Sequence, residues 1–568
     1  ELLERRHLLA IAAIGDSTPE PLWQAVGFDD ASPTSWLPAD TPAASGHRLN
    51  IGQLRSLLAQ APHEQNPDAA AEALVIAIPR PTEGVARFRI VESPIMAPEL
   101  AAKFPTIKTF AGQGVDDPSA TIRCDITPAG FHAQVLSAAG GYYIDPWPSG
   151  GSDFYASYYA RAGSPVEEAV REWPTTGETD FLPGPLAAGR LVLSDAPEPL
   201  RSARSGTQLR TYRLAVAATG EYTAFHGGTV LAGQAAIVTA INRVGGIYER
   251  DLSVRLELVA NNDLLVYTDG STDPYTNTDS SLLVTQNQTN IDAVIGNANY
   301  DIGHVFSTGG GGLAYLGVVG YTGWKARGAT GISNPTGDSF YVDYVAHEMG
   351  HQFNARHTFN VPDSNRDATA AYEPGSGSTI MAYAGLFGAN NLQTHSDDYF
   401  HSKSFDEIIA FVDATISTVG TRTSTGNNIP VVDAGANYTI PARTPFVLTA
   451  TGSDPDGDTL TYCWEERDLG PAQSLSDPDN GSSPLFRSFS PTTTPTRYFP
   501  RLANLLNNTA SVGEKLPTTN RMLNFRVTAR DNRSGGGGVN TDDVQLTVVD
   551  TGAPFQVTSP NSAVTWTG

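Results

Sequence analysis

The stretch HEMGHQFNARH, residues 347–357, constrains this chain more than any other. Histidines stand at 347, 351 and 357. For all three to face one point, the first two need a helix, and the third needs that helix to end in a sharp reversal. The upstream sequence SFYVDYVAHEMGHQF predicts the helix, because Val342, Val345, Met349 and Phe353 recur at spacings of three and four as one apolar stripe. Asp338 or Ser339, just after NPTG, is the expected N-cap. Residues four apart share a helix face, so His347 and His351 point into common space. Glu348 follows about 100° round, at the edge of that face. Asn354 is placed to end the helix in the left-handed conformation, where Asn is the best substitute for Gly. Two imidazoles and a third nitrogen donor leave one tetrahedral position open, which is the arrangement of a catalytic zinc. Two unrelated surface histidines would explain the first pair alone. The chain has only 11 histidines in 568 residues, and three in this one window favour a metal.

The flanking sequence alternates strand and helix. RTYRLAVAATGEY reads as a strand, VLAGQAAIVTAINRVGGIY as a helix and DLSVRLELVA as a second strand. SLLVTQNQTNIDAVIGNANY is again helical and DIGHVFS a third strand. This order predicts an α/β sandwich with a mostly parallel sheet. TGGGGLAYLGVVG then sets a glycine run beside a short apolar strand, which suits an edge that another backbone approaches closely. Glycines 309–312 are not a phosphate loop, since no Lys-Ser/Thr pair follows. His304 is expected to be a satisfied structural histidine, and His395 and His401 part of the closing helix.

His347-Glu348-x-x-His351 with His357 and, downstream, GSGSTIMAYAG bearing Met381 resembles the metzincin signature. Within that clan the sequence from about 207 to 415 is similar to the reprolysin-like (adamalysin-like) zinc endopeptidases. Asn354 stands where the clan usually has Gly. The resemblance implies that His347, His351 and His357 ligate zinc and that Glu348 is the general base and acid. Met381 would form the apolar floor below the metal. Tyr383 would stand beside the zinc and stabilise an oxyanion, or else serve as a core aromatic. It also implies that GLAYLGVV is the edge strand that pairs with an extended peptide substrate. Reprolysins often keep themselves latent with a propeptide cysteine on the metal. Cys124 is the one cysteine upstream, but TIRCDITPAG is strand-like, so a buried core role is expected, with the propeptide acting as a cover. A Cys124–Cys463 disulfide would tie a removable segment to a permanent one.

Length and composition set the context. A chain of 568 residues exceeds one core and suggests several domains. The net charge of −24 argues against nucleic acid or an anionic membrane surface as partner. No run of 18 apolar residues predicts a membrane span. Two cysteines cannot build a disulfide framework or a cysteine-based zinc site. RRHLLAIAAIG, preceded by ELLE, reads as a short helix of the N-terminal region, with any export signal further upstream.

Residues 1–205 contain strand-like runs (EALVIAIP, VARFRIVES, TIRCDITPAGFHAQVL) and then a Pro/Gly-rich tail. The arginines of LRSARSGTQLR, including Arg201, Arg204 and Arg210, offer a processing site. This is the layout of a mixed α+β propeptide with its linker. After residue 425 the texture turns to short alternating strands, an all-β immunoglobulin-like sandwich over 426–550 similar to polycystic-kidney-disease-type modules. Residues 551–568 would start a further β module. Asp454, Asp456 and Asp458 in DPDGD alternate as calcium ligands do, with Asp531 as a further candidate; a plain polar turn is the other reading. The role of the long insert 468–520 is not legible.

The sequence therefore leads to a multidomain fold, with an α/β metzincin catalytic domain over 206–425 between that propeptide and that sandwich. The implied function is a secreted zinc endopeptidase in proform, acting on protein or peptide substrates and inhibited by its own propeptide. Zn2+ is the cofactor and Ca2+ a further candidate ion. The rival class is a non-catalytic zinc-containing adhesin or binding protein. Because no zinc ligand lies in the sandwich, that module is expected to be dispensable for the chemistry.

Overall fold

The structure, a computed structural model, describes residues 21–27, 44–147, 153–159, 181–182, 203–553, 558–559 and 565. The expected N-terminal helix, Arg201 with most of the Pro/Gly-rich tail, and most of the terminal stretch 551–568 lie outside the described residues. Three structural units, each with its own buried apolar side chains, make up the rest.

The first core belongs to a nine-stranded antiparallel sheet. Its strands are Trp23–Val26 (β1), Ala44–Leu49 (β2), Leu74–Pro79 (β3), Val85–Glu92 (β4), Lys108–Gly114 (β5), Thr121–Thr127 (β6), Gly130–Leu136 (β7), Tyr142–Pro146 (β8) and Phe154–Tyr159 (β9). They lie in the order β1-β2-β9-β8-β7-β6-β5-β4-β3. Phe88, Ile122, Phe131 and Cys124 pack beneath it with the helix Ile51–Leu58. Cys124 is fully buried and, like Cys463, unpaired in any disulfide.

The central unit is mixed α/β, as the alternation predicts. Its strands are Phe181–Leu182 (β10), Gln208–Ala218 (β11), Val254–Leu258 (β12), Ile302–Ser307 (β13), Gly311–Tyr315 (β14), Gly328–Gly331 (β15) and Thr421–Ser424 (β16). The order is β10-β14-β15-β13-β11-β12, with β16 on the start of β11. β11, β12, β13 and β15 run parallel, while β14 and β16 are antiparallel to their neighbours β15 and β11. The expected substrate edge is not open. β14 lies between β15 and β10, which pairs with it in parallel through Phe181–Ala314 and Leu182–Tyr315.

Helix α1, Val230–Leu252, crosses this sheet and is long and apolar enough to pass for a membrane span. It is a core helix instead, with 78% of its most apolar window buried. The nine-stranded sheet rests on α1. Arg123 of β6 pairs with Glu249, Asp125 accepts from Thr239 at 3.0 Å, and Asp145 of β8 pairs with Arg243. Each of these α1 charges also has a partner within the central unit: Glu249 has Arg255 at 2.6 Å and Arg243 has Asp338 at 3.2 Å.

The third unit is all-β. Its strands are Val431–Asp433 (β17), Tyr438–Pro441 (β18), Phe446–Thr449 (β19), Thr451–Ser453 (β20), Thr461–Glu466 (β21), Thr496–Phe499 (β22), Arg521–Arg530 (β23) and Val539–Val549 (β24). A four-stranded sheet, β18-β24-β23-β21, faces the pairs β17–β20 and β19–β22 across Phe446, Phe486, Phe499 and Phe525. Two ion pairs join it to the central unit: the part-buried pair of Arg526 and Asp406 at 2.7 Å and the fully buried pair of Arg530 and Asp251 at 3.1 Å. Breaking a fully buried pair from one side costs about 3–5 kcal/mol, so this unit is fused to its neighbour rather than tethered.

Candidate metal centre

The helix carrying the histidines, α2, runs from Gly337 to Gln352 in three joined pieces. Gly337–Phe340 is α-helical, Tyr341–Ala346 is a π turn and His347–Gln352 is α-helical again. Its N-cap is Thr336, not Asp338 or Ser339. Asp338 instead pairs with Arg243, and burial holds its carboxyl well above the ordinary range. The sequence stripe missed the π turn because the helix is buried all round, so apolar residues give no unique face. Asn354 ends the helix at φ 78°, as its left-handed role requires.

That reversal brings the three imidazoles together. Their Nε2 atoms lie 3.1 Å (His347–His351), 3.1 Å (His351–His357) and 3.3 Å (His347–His357) apart. These contacts are not hydrogen bonds. Each Nδ1 faces a backbone carbonyl that can only accept: Ile380 at 2.6 Å, Ala355 at 2.7 Å and Asn365 at 2.6 Å. Each Nδ1 therefore carries the proton, and each neutral ring turns an Nε2 lone pair toward the other two. Ligands about 2.0–2.1 Å from a tetrahedral zinc stand about 3.3–3.4 Å apart, so the donor set fits that ion. The carbonyls fix tautomer and ring orientation, as partners behind metal ligands do.

Glu348 is fully buried, and β14 shapes the space round it. A Cβ added at Gly312 would lie 2.0 Å from Glu348 Oε1, so glycine there lets the strand backbone meet the carboxylate. Met381 is also fully buried, and a Cβ at Gly350 would come within 2.5 Å of its sulfur. The thioether thus packs under the helix turn between His347 and His351. The ring of Tyr383 lies 4.6 Å from that of His357, 5.8 Å from that of His347, and stacks on Phe359 at 4.5 Å.

Several supporting residues carry no sequence signal, because their partners are distant in the chain. The buried Glu373 carboxylate accepts from Thr358 Oγ1 at 2.6 Å, Thr379 Oγ1 at 2.5 Å and Ser378 N at 2.8 Å, which ties the third-histidine segment to the Met381 turn. Gln352, the last helical residue, joins His304 Nδ1 at 2.9 Å and donates to Gly303 O at 2.9 Å. His304 also meets Thr330 Oγ1, and burial lowers its pKa to about 4, so it is a neutral structural residue as expected. His395 departs from expectation. It precedes the closing helix Ser402–Ala410 and pairs with Asp343 of the π turn at 2.7 Å. His401 is the N-cap of that helix.

The Asp454, Asp456 and Asp458 carboxylates converge closely enough to hold a cation. Asp456 accepts from Asn428 N and Nδ2, both at 2.8 Å, and Asp454 Oδ1 caps the turn amides of Asp456 and Asp458. One buried oxygen each of Asp454 and Asp458 has no hydrogen-bond partner. Asp531 stands apart from the cluster, bracing Asn427, Gly538 and Arg533.

Comparison with known proteins bears on the histidine centre. Residues 208–410 match the family model described as Metallo-peptidase family M12B Reprolysin-like. No curated protein matches the chain. The match spans less than half of the chain, yet it contains the three histidines, Glu348, Met381 and Tyr383, and it supports a reprolysin-like metallopeptidase of a zinc-dependent family in this part of the protein.

Proposed function

We propose that the protein is a secreted zinc endopeptidase kept latent by its own N-terminal region. The observation that carries the reading is the convergence of three Nε2 atoms whose Nδ1 protons are all committed to backbone carbonyls, within the segment that matches the metallopeptidase model. His347, His351 and His357 would hold the ion. Bound there, zinc supplies a Lewis acid that activates water and polarises a peptide carbonyl. Glu348 accepts the proton of the attacking water and returns it to the leaving amine. Tyr383, beside two of the histidines, donates to the developing oxyanion. The backbone of β14 aligns an extended peptide. Glu348, buried beside His347 on the same helix, is placed for proton transfer, which favours a catalytic centre over the structural zinc of an adhesin.

Two observations support cover by the N-terminal region rather than by a cysteine. Cys124 lies inside the apolar core of the nine-stranded sheet, where burial pushes its thiol far above the ordinary range, so it offers no thiolate to the metal. The edge of β14 is held by β10. The Asp454–Asp458 cluster would take Ca2+, since its two partnerless buried oxygens suit a hard cation.

The test is casein digestion by processed protein with and without a chelator, together with two variants. His351→Ala should lose zinc and proteolysis together. Glu348→Ala should keep zinc at full stoichiometry and lose about 10²–10⁴-fold in turnover. Zinc retained by His351→Ala, or normal turnover by Glu348→Ala, overturns the assignment.

A further inference from the structure

The third histidine and Met381 sit in an unusually bare stretch of chain. From Phe353 to His401 the only helical or strand element is the three-residue turn Gly388–Asn390. The two cysteines lie elsewhere and are free. Loops beyond about 12–15 residues without secondary structure are uncommon in compact domains, and ordering each residue costs about 1–2 kcal/mol. A metal ligand in such a segment needs outside fastening.

The fastening comes from the insert 468–520 between β21 and β23. Arg366 Nη2 donates to Gly470 O at 2.6 Å while its Nε donates to Asn360 Oδ1 at 2.8 Å. Asn360 Nδ2 donates to Pro471 O at 3.2 Å, and Gln473 N donates to Asn360 O at 2.9 Å. These bonds pin residues 360–366, and the carbonyl of Asn365 in that loop accepts the His357 Nδ1 proton at 2.6 Å. A second grip holds the Met381 side. Leu475 N donates to Asn390 Oδ1 at 2.8 Å, and Ser378 Oγ donates to Ser488 O at 3.3 Å. Tyr399 OH donates to Ser488 Oγ at 2.6 Å.

We infer that the insert of the C-terminal β unit is a positioning element of the metal centre, acting on His357 through Arg366, Asn360 and the Asn365 carbonyl. This rests on the proposed zinc site and reverses the sequence expectation that the unit is dispensable for the chemistry. Arg366 and Asn360 are positioning residues: on this reading neither meets the ion. With the loop released, the Asn365 carbonyl no longer fixes the His357 ring, and zinc affinity falls without loss of any ligand. Partners behind metal ligands alter affinity by about 10–100-fold.

The test uses the full chain. Zn2+ dissociation constants are measured by competition with a chromophoric chelator for wild type, Arg366→Ala and Asn360→Ala, beside the visible absorption of the Co2+-loaded proteins. The expected result is about a tenfold weaker Zn2+ complex for Arg366→Ala, a smaller loss for Asn360→Ala and an altered Co2+ spectrum, with the metal-free melting temperature moving little. Arg366→Lys keeps one of the two donations and should fall between, which decides the matter if the alanine variant does not fold. Wild-type affinity and spectrum in folded Arg366→Ala or Arg366→Lys overturn the inference, whatever happens to the melting temperature. A wild-type chain that binds no Zn2+ would defeat the proposed function itself, and this inference with it.

Discussion

Replacing Gly312 with alanine tests whether β14 places the catalytic carboxylate. An added Cβ would lie 2.0 Å from Glu348 Oε1 and 2.7 Å from Cδ, whereas ordinary contact begins at 3.4 Å. The oxygen must therefore retreat by about 1.4 Å, or the strand must bend away. Gly312 is not among the glycines of positive φ, so alanine brings no backbone strain and the clash is the whole perturbation. A misplacement of about 1 Å in a reacting group costs about 10²-fold. Gly312→Ala should accordingly lose about 100-fold in kcat on a quenched-fluorescent peptide, with Zn2+ still bound one per chain because no histidine is touched. Overpacking should also cost about 1–3 kcal/mol in stability, read by urea unfolding. Full kcat in a folded, zinc-loaded variant would refute the placement of Glu348 by β14. Loss of zinc in parallel with activity would show that the strand acts on the ligands instead.

Four further outcomes are expected. Gly245→Ala in α1, where an added Cβ meets nothing within 4 Å, should stabilise the chain by about 0.5–1 kcal/mol, checked by denaturant midpoint. Burial raises Asp531 to about 6 from 3.8; a carboxyl with a raised folded value stabilises below the unfolded value and loses that contribution as pH rises through about 6. Wild type should thus lose about 2 kcal/mol relative to Asp531→Asn between pH 4 and pH 7, tested by unfolding in calcium-free buffer at both pH values. Millimolar Ca2+ should raise the wild-type melting temperature by mass action and leave Asp458→Asn unmoved. Cys124→Ala in the full chain should remain latent, and immediate activity on casein before processing would restore the cysteine switch.

What could be read from the sequence was what short-range pattern encodes. The helix, its end at Asn354 and the meeting of His347, His351 and His357 follow from spacing alone, because helical period and a left-handed residue leave little choice. The strand–helix alternation likewise yielded the mostly parallel sheet. What escaped depends on partners far along the chain. The cover of β14 by β10 joins residues about 130 apart. Glu373 is a lone acid in the sequence and becomes a strut only once Thr358 and Thr379 are folded onto it. The role of the insert was not legible because its bonds to Asn360 and Arg366 are mostly to backbone carbonyls, which every sequence possesses.

The π turn Tyr341–Ala346 makes the length of this helix a heritable quantity in its own right. Each residue of a helix adds about 100° of rotation, and a π turn holds one residue more than an α turn. Losing a single codon between 341 and 346 could heal the turn into regular helix, yet it would have to rotate either the upstream contacts or the histidine pair by about that angle. Point substitutions in this stretch change packing by degrees, whereas a one-residue deletion re-aims His347 and His351 relative to His357 as a block. Homologous chains should therefore vary in the residues of this segment far more freely than in its count.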